Sequence, residues 1–311
     1  MLAGIVFLVG GLALIVWGAE RFTDGALGVA RRFAVSAFWI GAVLSGFEPE
    51  NLAAGIAAAV GGLPQIALGT VIGSAIFMLT GGLGAALLLV PMDVRIPRAG
   101  AWAMLGALAL FALVIFDGSV TRPEAIVLAA AAVGAMVWLY YRSPTFRPPA
   151  DADDDQEKER PPSTPAVVGR LILGIVAILL GAEALVSGSR ALLATTGLSE
   201  TFLGMTVVGL GESLEETARM VVPARRGHPE LALGNVVGTL VVLVLFNLGV
   251  IALVRPLAAD PLVLAFHAPY LGACAVVIAT AFLVAKRLGR ALGAGLIAAY
   301  VVYLGLNVAW L

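Results

Sequence analysis

Apolar stretches of about 18 residues or more recur along the chain, and about 20 helical residues cross a hydrocarbon core of roughly 30 Å. Only 13% of the residues are charged and 60% are hydrophobic, whereas a soluble domain carries about 25% charge. A soluble fold could not bury this much apolar surface. The sequence therefore predicts an all-α polytopic membrane protein with ten spans, at 2–19, 36–60, 64–90, 99–116, 124–141, 166–187, 199–222, 231–254, 262–284 and 291–310.

Lys and Arg are unevenly divided between the two sides of these spans. If the N-terminus lies outside, fifteen fall in inside segments and only Arg122, Arg190 and Arg255 fall outside. Basic residues near span ends are retained in the cytoplasm, so we expect this orientation in the cell (plasma) membrane. The first span has no basic leader and no convincing cleavage site, and we expect it to be retained. A formal net charge of −1 argues against a nucleic-acid partner and leaves the lipid bilayer as the expected environment.

A charged, proline-rich stretch at 142–165 is too polar to enter lipid, and we interpret it as a cytoplasmic linker. It separates a first five-helix repeat, 1–141, from a second, 166–311. Because each repeat has an odd number of spans, the second enters the membrane with the opposite polarity. Inverted repeats of this kind are typical of secondary transporters.

Matching residues in the two halves support the duplication. Gly18-Ala19-Glu20 matches Gly181-Ala182-Glu183 at an offset of 163. After a small length adjustment, Ala67-Leu68-Gly69 matches Ala232-Leu233-Gly234 at an offset of 165. The matches keep their register across adjacent spans, which indicates one repeated unit.

Acidic residues cluster inside two of the hydrophobic spans. The second span contains Ser45-Gly46-Phe47-Glu48-Pro49-Glu50-Asn51, and the seventh contains Gly211-Glu212-Ser213-Leu214-Glu215-Glu216. Ionisable residues within the membrane are costly and typically face a cavity, a partner or an ion path. Proline and glycine interrupt helices, so we expect helices two and seven to be broken. Carboxylates, hydroxyls and freed carbonyls are hard oxygen ligands that suit calcium, sodium or magnesium.

Spaced small and polar residues accompany both acidic clusters. In the second half they include Ser199, Gly204, Thr206, Gly211 to Glu216, Gly227, Leu233-Gly234-Asn235 and Gly238-Thr239. In the first half they include Pro49-Glu50, Gly69-Thr70 and Gly73-Ser74-Ala75-Ile76-Phe77. Both sets resemble the signature repeats of the calcium/cation antiporter superfamily, which includes the sodium/calcium exchangers.

The resemblance implies which residues bind a cation. The glutamate that ends each family motif corresponds to Glu50 and Glu216, and the family's hydroxyl ligands correspond to Ser74, Thr239 and Ser213. It implies no cofactor, since the inorganic cations are transported as ligands. Further residues that we interpret as pathway or accessory groups are Glu48, Glu212, Glu215, Arg219, Asn51, Thr70 and Asn235. Thr80 and Asn247 are other polar residues in apolar spans, where they line the pathway or form interhelical hydrogen bonds.

The chain also departs from the family pattern, which makes it a divergent member. Met78 and Leu243 stand where the family often has Asn or Asp, so two side-chain oxygens are missing. The length adjustment between the halves leaves open whether Glu50 or Asn51 is the counterpart of Glu216. Loss of the Asn and Asp ligands removes sites that favour several sodium ions, which favours coupling to protons.

Arg219 lies on the same helical face as the seventh-span acids, where it could neutralise Glu212 or Glu215. Our leading hypothesis is a secondary active cation antiporter that exports calcium in exchange for sodium or protons, with Glu50 and Glu216 facing each other across the pseudo-twofold axis. The alternative is a non-transporting membrane scaffold or regulatory protein whose acids are neutralised. A cation channel fits inverted repeats less well. The sequence contains no nucleophile–base set or nucleotide loop that would support an enzyme.

Overall fold

The computed structural model describes residues 1–32, 48–93, 98–142, 164–225 and 229–309, apart from the side chains of 23, 26–32, 164, 212, 214, 215, 218, 223, 230 and 231. Within these ranges the chain is helical except for short loops and four two-residue strands. Eight of the helices in these described ranges are long and apolar enough to cross a membrane. The prediction of an all-α polytopic membrane protein is therefore confirmed.

These eight helices correspond to eight of the ten predicted spans. The other two predicted spans are the acidic ones. Only 48–60 of the second span is described, and in the seventh the apolar part is limited to Glu200–Gly211. Most of the predicted linker, 143–163, lies outside the described residues.

The first half contains long helices joined by short connections. Proline occupies the first turn of the second and third helices, where its missing N–H costs nothing. The described elements are α1 (Leu2–Arg32), α2 (Pro49–Val60), α3 (Pro64–Phe77), the π-helical turn π1 (Met78–Gly82), α4 (Leu83–Leu89), β1 (Met92–Asp93), α5 (Arg98–Ile115), β2 (Ser119–Val120) and α6 (Arg122–Arg142).

The second half repeats this order of elements and adds two π-helical turns. They are α7 (Thr164–Thr196), α8 (Glu200–Phe202), π2 (Leu203–Val208), α9 (Gly209–Arg225), α10 (Pro229–Val241), π3 (Val242–Asn247), α11 (Leu248–Val254), β3 (Leu257–Ala258), π4 (Val263–His267), α12 (Ala268–Val284), β4 (Arg287–Leu288) and α13 (Arg290–Ala309).

Two equivalent rods form the centre of the bundle. The first consists of α3, π1 and α4, and the second of α10, π3 and α11. Their apolar windows are 89% and 83% buried, whereas those of the other six candidate spans are 22–44% buried. A helix that is apolar on all sides needs neighbours all round, so the two rods are enclosed by the remaining helices.

Two short antiparallel ladders join the halves. Strand β1 pairs with β4 through Met92 and Leu288, and β2 pairs with β3 through Val120 and Leu257. The intervening helix α5 holds β1 and β2 at opposite ends of the bundle. In sequence order, β3 of the second half is the counterpart of β1 of the first half. Because β3 pairs with β2, it lies at the end of the bundle opposite to β1. Equivalent strands of the two halves are therefore at opposite ends, as inverted repeats require.

The backbone of α3 touches the backbone of π2. A Cβ atom on Gly69 would lie 2.2 Å from the carbonyl carbon of Gly204, closer than any real contact of that type. Small residues allow helices in membranes to approach in this way. The contact holds the central rod of the first half against the acidic helix of the second half.

Candidate cation-binding site

The described part of the second predicted span begins at Glu48, directly before α2. This residue has a φ of 46° and a ψ of 64°, a left-handed conformation that is uncommon for a residue with a side chain. Pro49 follows and begins α2. Glu48 is fully buried, and such strained positions often belong to functional sites. The left-handed turn brings both Glu48 and Glu50 to the N-terminal end of α2.

The α-helical pattern of the seventh span is interrupted by π2, directly before the acidic part of α9. A π turn shifts the hydrogen-bonding register and often lies at a functional site. The carbonyl oxygen of Gly209, the first residue of α9, accepts a hydrogen bond from Ser74 Oγ at 3.2 Å. A backbone carbonyl beside the acids therefore bonds a side chain of α3.

Arg219 lies at the centre of the site and contacts three carboxylates. Its Nη1 atom is 2.7 Å from Glu216 Oε1 and 3.0 Å from Glu48 Oε1. Its Nη2 atom is 3.5 Å from Glu50 Oε1. The side chains of the three glutamates are 0–2% exposed, whereas that of Arg219 is 29% exposed. Buried charges need such pairing, because an unpaired charge in a low-dielectric interior is costly.

Two amides and a hydroxyl also bond Glu216 and Glu48, and the amides reach the oxygens that Arg219 does not contact. Asn235 Nδ2 donates to Glu216 Oε2 at 2.6 Å, and Thr239 Oγ1 donates to Glu48 Oε1 at 3.2 Å. Asn51 Nδ2 donates a longer bond to Glu48 Oε2, at 3.4 Å. These groups hold the carboxylates in fixed orientations.

Ser74 links α3 to the two acidic segments. Besides the bond to Gly209, its Oγ atom donates to Asn51 Oδ1 at 2.8 Å. The pathway candidate Thr70, one turn earlier, is buried and donates to Ala67 of its own helix. Ser213 is buried on α9, on the same helix as Glu216. The structure thus brings most of the predicted ligands to one region at the centre of the bundle.

Two expectations about Arg219 and its neighbours have different outcomes. Glu50 and Glu216 do lie together, each beside a different terminal nitrogen of one guanidinium. We also expected Arg219 to neutralise Glu212 or Glu215, but those side chains lie outside the described residues. The described partners of Arg219 are other acids, because the helical spacing of three also aligns it with Glu216.

Sequence reasoning gave Glu48 only an accessory role, but the structure places it at the centre of these contacts. Its side chain contacts Arg219 and Thr239, and its backbone carbonyl accepts a bond from Asn247 Nδ2 at 3.4 Å. The only sequence signal was an acid directly before Pro49. Thr80 bonds the carbonyl of Ile76 in its own rod and takes no part in these contacts with Glu48.

Apolar side chains occupy both positions where the family often has Asn or Asp. Met78 and Leu243 are buried in equivalent π turns, π1 and π3. In the part of the chain that the structure describes, no group of three or more acidic, histidine or cysteine side chains is arranged to hold a metal ion. The guanidinium of Arg219 lies between the acids that would otherwise converge.

Comparisons with known proteins agree with this architecture. The profile of the family described as "Sodium/calcium exchanger protein" matches residues 3–141 and 166–309. The putative antiporter CaxA of Alkalimonas amylolytica is 31% identical over 82% of each chain. The inner membrane protein YrbG of Escherichia coli is 29% identical, with 98% of this chain and 97% of that protein aligned.

A solved structure has the same fold. It is the sodium-calcium exchanger NCX_Mj soaked with 10 mM Na⁺ and 10 mM Sr²⁺, which superposes with a TM-score of 0.63 at 25% sequence identity. The superposition covers 98% of each chain. The likeness therefore extends over both halves and includes the helices that carry the acids.

Proposed function

The chain belongs to the sodium/calcium exchanger protein family, and on this premise we propose that it exports calcium in exchange for sodium or protons by alternating access. Family membership makes it a cation antiporter of the membrane. The identity of the ions, the direction of transport and the residues that bind the ions are our proposal. We propose that Glu48, Glu50 and Glu216 bind the transported cation, with hydroxyl oxygens from Ser74, Thr239 and Ser213.

The observation that carries this proposal is that three buried carboxylates from two inverted halves surround one guanidinium. Glu48 and Glu50 come from the first half and Glu216 from the second, and all three contact one guanidinium. A site shared between inverted repeats can face either side of the membrane when the repeats rock against each other. Hard oxygen ligands at such a position suit calcium and sodium.

Exchange follows from competition for the same oxygens. A divalent ion and monovalent ions that bind the same carboxylates cannot both occupy them, so each displaces the other while the site alternates between sides. The apolar Met78 and Leu243 supply no oxygen for additional sodium ions. This loss of oxygen ligands for sodium favours protons as the counter-ion.

Calcium uptake into everted plasma-membrane vesicles tests this function directly. We expect uptake to be driven by an imposed pH gradient or sodium gradient, and to be lost in Glu216→Gln. The matched control is Glu183→Gln, which changes an exposed glutamate on α7 outside the site. The proposal fails if neither gradient moves calcium and Glu216→Gln alters no cation flux.

The scaffold alternative has one specific observation in its favour. Arg219 already pairs the three carboxylates, as a site without a transported ion would need. A non-transporting protein would show neither cation flux nor stabilisation by calcium, since a ligand that binds only the folded state raises its stability. Saturable calcium-dependent thermal stabilisation of the purified protein would count against this alternative.

A further inference from the structure

The position of Arg219 bears on how a cation enters the site. Its two terminal nitrogens contact the Oε1 atoms of Glu48, Glu50 and Glu216 at 2.7–3.5 Å. A calcium ion would need oxygen ligands at about 2.3–2.6 Å. The second oxygens of Glu216 and Glu48 are already bonded by Asn235 and Asn51. The guanidinium therefore uses the oxygens that a metal cation would need.

Arg219 cannot release these oxygens by losing its proton, because arginine stays charged at any physiological pH. It can release them only by moving. Its side chain is 29% exposed, while the carboxylates are 0–2% exposed, so it reaches the site from an accessible side. A long, flexible side chain in that position can swing away without unfolding α9.

We propose that Arg219 is a tethered counter-cation, which fills the site when no transported cation is bound and is displaced when one enters. This proposal rests on the cation site of the proposed function. It adds that competition from Arg219 sets the affinity of that site for the transported cation. While Arg219 occupies the acids, the buried carboxylates remain compensated. Each binding event must then exchange the guanidinium for the ion.

Displacement has a quantitative consequence. The apparent dissociation constant is the intrinsic one divided by the fraction of molecules whose site is open. If Arg219 fills the site in about nine of ten molecules, removing the guanidinium tightens binding about tenfold. A residue that merely supported the fold would weaken or leave unchanged the binding of calcium when it is removed.

Calcium titration of the purified full-length protein, read as thermal stabilisation, tests this proposal. We expect Arg219→Ala to lower the apparent dissociation constant for calcium about tenfold, and Arg219→Lys, which keeps the charge, to stay closer to the original protein. Free guanidinium at low millimolar concentration should compete with calcium in Arg219→Ala and not in the original protein. The matched control is Arg255→Ala, since Arg255 bonds the carbonyls of Ala59 and Val60 at the other end of α2.

The outcomes separate this proposal from the proposed function. Unchanged or weaker calcium binding in Arg219→Ala, in a protein that transports calcium, would overturn the displacement proposal alone. Tighter binding in Arg219→Ala, with no flux in the original protein, would support displacement and contradict the proposed transport. If Arg219→Ala does not fold, the double variant Glu48→Gln/Arg219→Ala removes one charge of each sign, and it should still bind calcium more tightly than Glu48→Gln alone.

Discussion

At the scale of single residues, the site contains more acids than bases among the described side chains. Three carboxylates share the guanidinium of Arg219, so they lie within a few ångströms of one another and repel. Natural sites often give up stability for function in this way. If a divalent ion takes the place of the guanidinium, as we propose, two positive charges replace one among the carboxylates, and the repulsion falls. Stability would then depend on the ion.

We predict that Glu48→Gln stabilises the protein in the absence of calcium and weakens its response to calcium. The substitution removes one of three like charges, while the amide oxygen can still accept the bond from Thr239. We expect the midpoint of thermal unfolding to rise by a few degrees, which corresponds to about 1 kcal/mol. Differential scanning fluorimetry with and without calcium measures both effects. A lower midpoint without calcium would show that Glu48 is fully compensated by Arg219, contrary to this prediction.

The resemblance to the family motifs pointed to Glu50 and Glu216, and the structure places both beside Arg219. The central position of Glu48 among these contacts could not be read in the same way. It depends on a left-handed backbone conformation directly before Pro49, and sequence patterns do not specify such a conformation for a glutamate. The first-half partners of Arg219 were equally hidden, since Glu48 and Glu50 are far from it in sequence.

At the scale of helices, the site depends on how closely the acidic helix of one half approaches the central rod of the other. The contact between Gly69 on α3 and Gly204 on π2 is made by backbone atoms. Both glycines belong to the repeated sequence motifs and could be noted from the sequence. The π turns could not be predicted, because they depend on a local change of hydrogen-bonding register.

We predict that Gly69→Ala severely destabilises the protein or abolishes its folding. The added methyl group would lie 2.2–2.6 Å from backbone atoms of Gly204, and backbone atoms cannot move aside as a flexible side chain can. Overpacking typically costs about 1–3 kcal/mol, and more where the neighbours are rigid. The matched control is Gly106→Ala on α5, where a Cβ atom would meet nothing within 4 Å.

Yield of folded protein and its thermal midpoint in detergent measure the two glycine variants. Gly106→Ala should be neutral or slightly stabilising, because alanine favours helix more than glycine does. Equal behaviour of the two variants would show that α3 and π2 can separate without cost. In that case the close approach would not be what positions Ser74 beside Gly209.

At the scale of the whole molecule, inverted symmetry follows from the sequence through the odd number of spans in each half. The strand ladders express the same symmetry in the folded chain, although two-residue strands carry no sequence signal of their own. The boundaries of the eight described spans were predicted less well than their existence. Helix α1 continues to Arg32 and α7 to Thr196, because a helix does not have to end where its apolar segment ends.

The inverted arrangement makes a prediction about chemical access from the two sides of the membrane. Asp93 on β1 and Ala258 on β3 are equivalent positions at an offset of 165, and both are exposed. Asp93 pairs with Arg287 across a ladder. We therefore expect the introduced thiols of Asp93→Cys and Arg287→Cys to react with a thiol reagent from one side of the membrane. The thiol of Ala258→Cys should react from the other side.

The measurement uses single cysteines in a Cys274→Ala background, labelled with a membrane-impermeant maleimide in intact cells and in everted vesicles. From the distribution of Lys and Arg we expect 258 to be labelled in intact cells, and 93 and 287 only in everted vesicles. If 93 and 287 are labelled in intact cells and 258 only in everted vesicles, the predicted orientation is wrong but the repeats are still inverted. Labelling of 93 and 258 from the same side would contradict the inversion itself, and with it the site shared between two oppositely oriented halves.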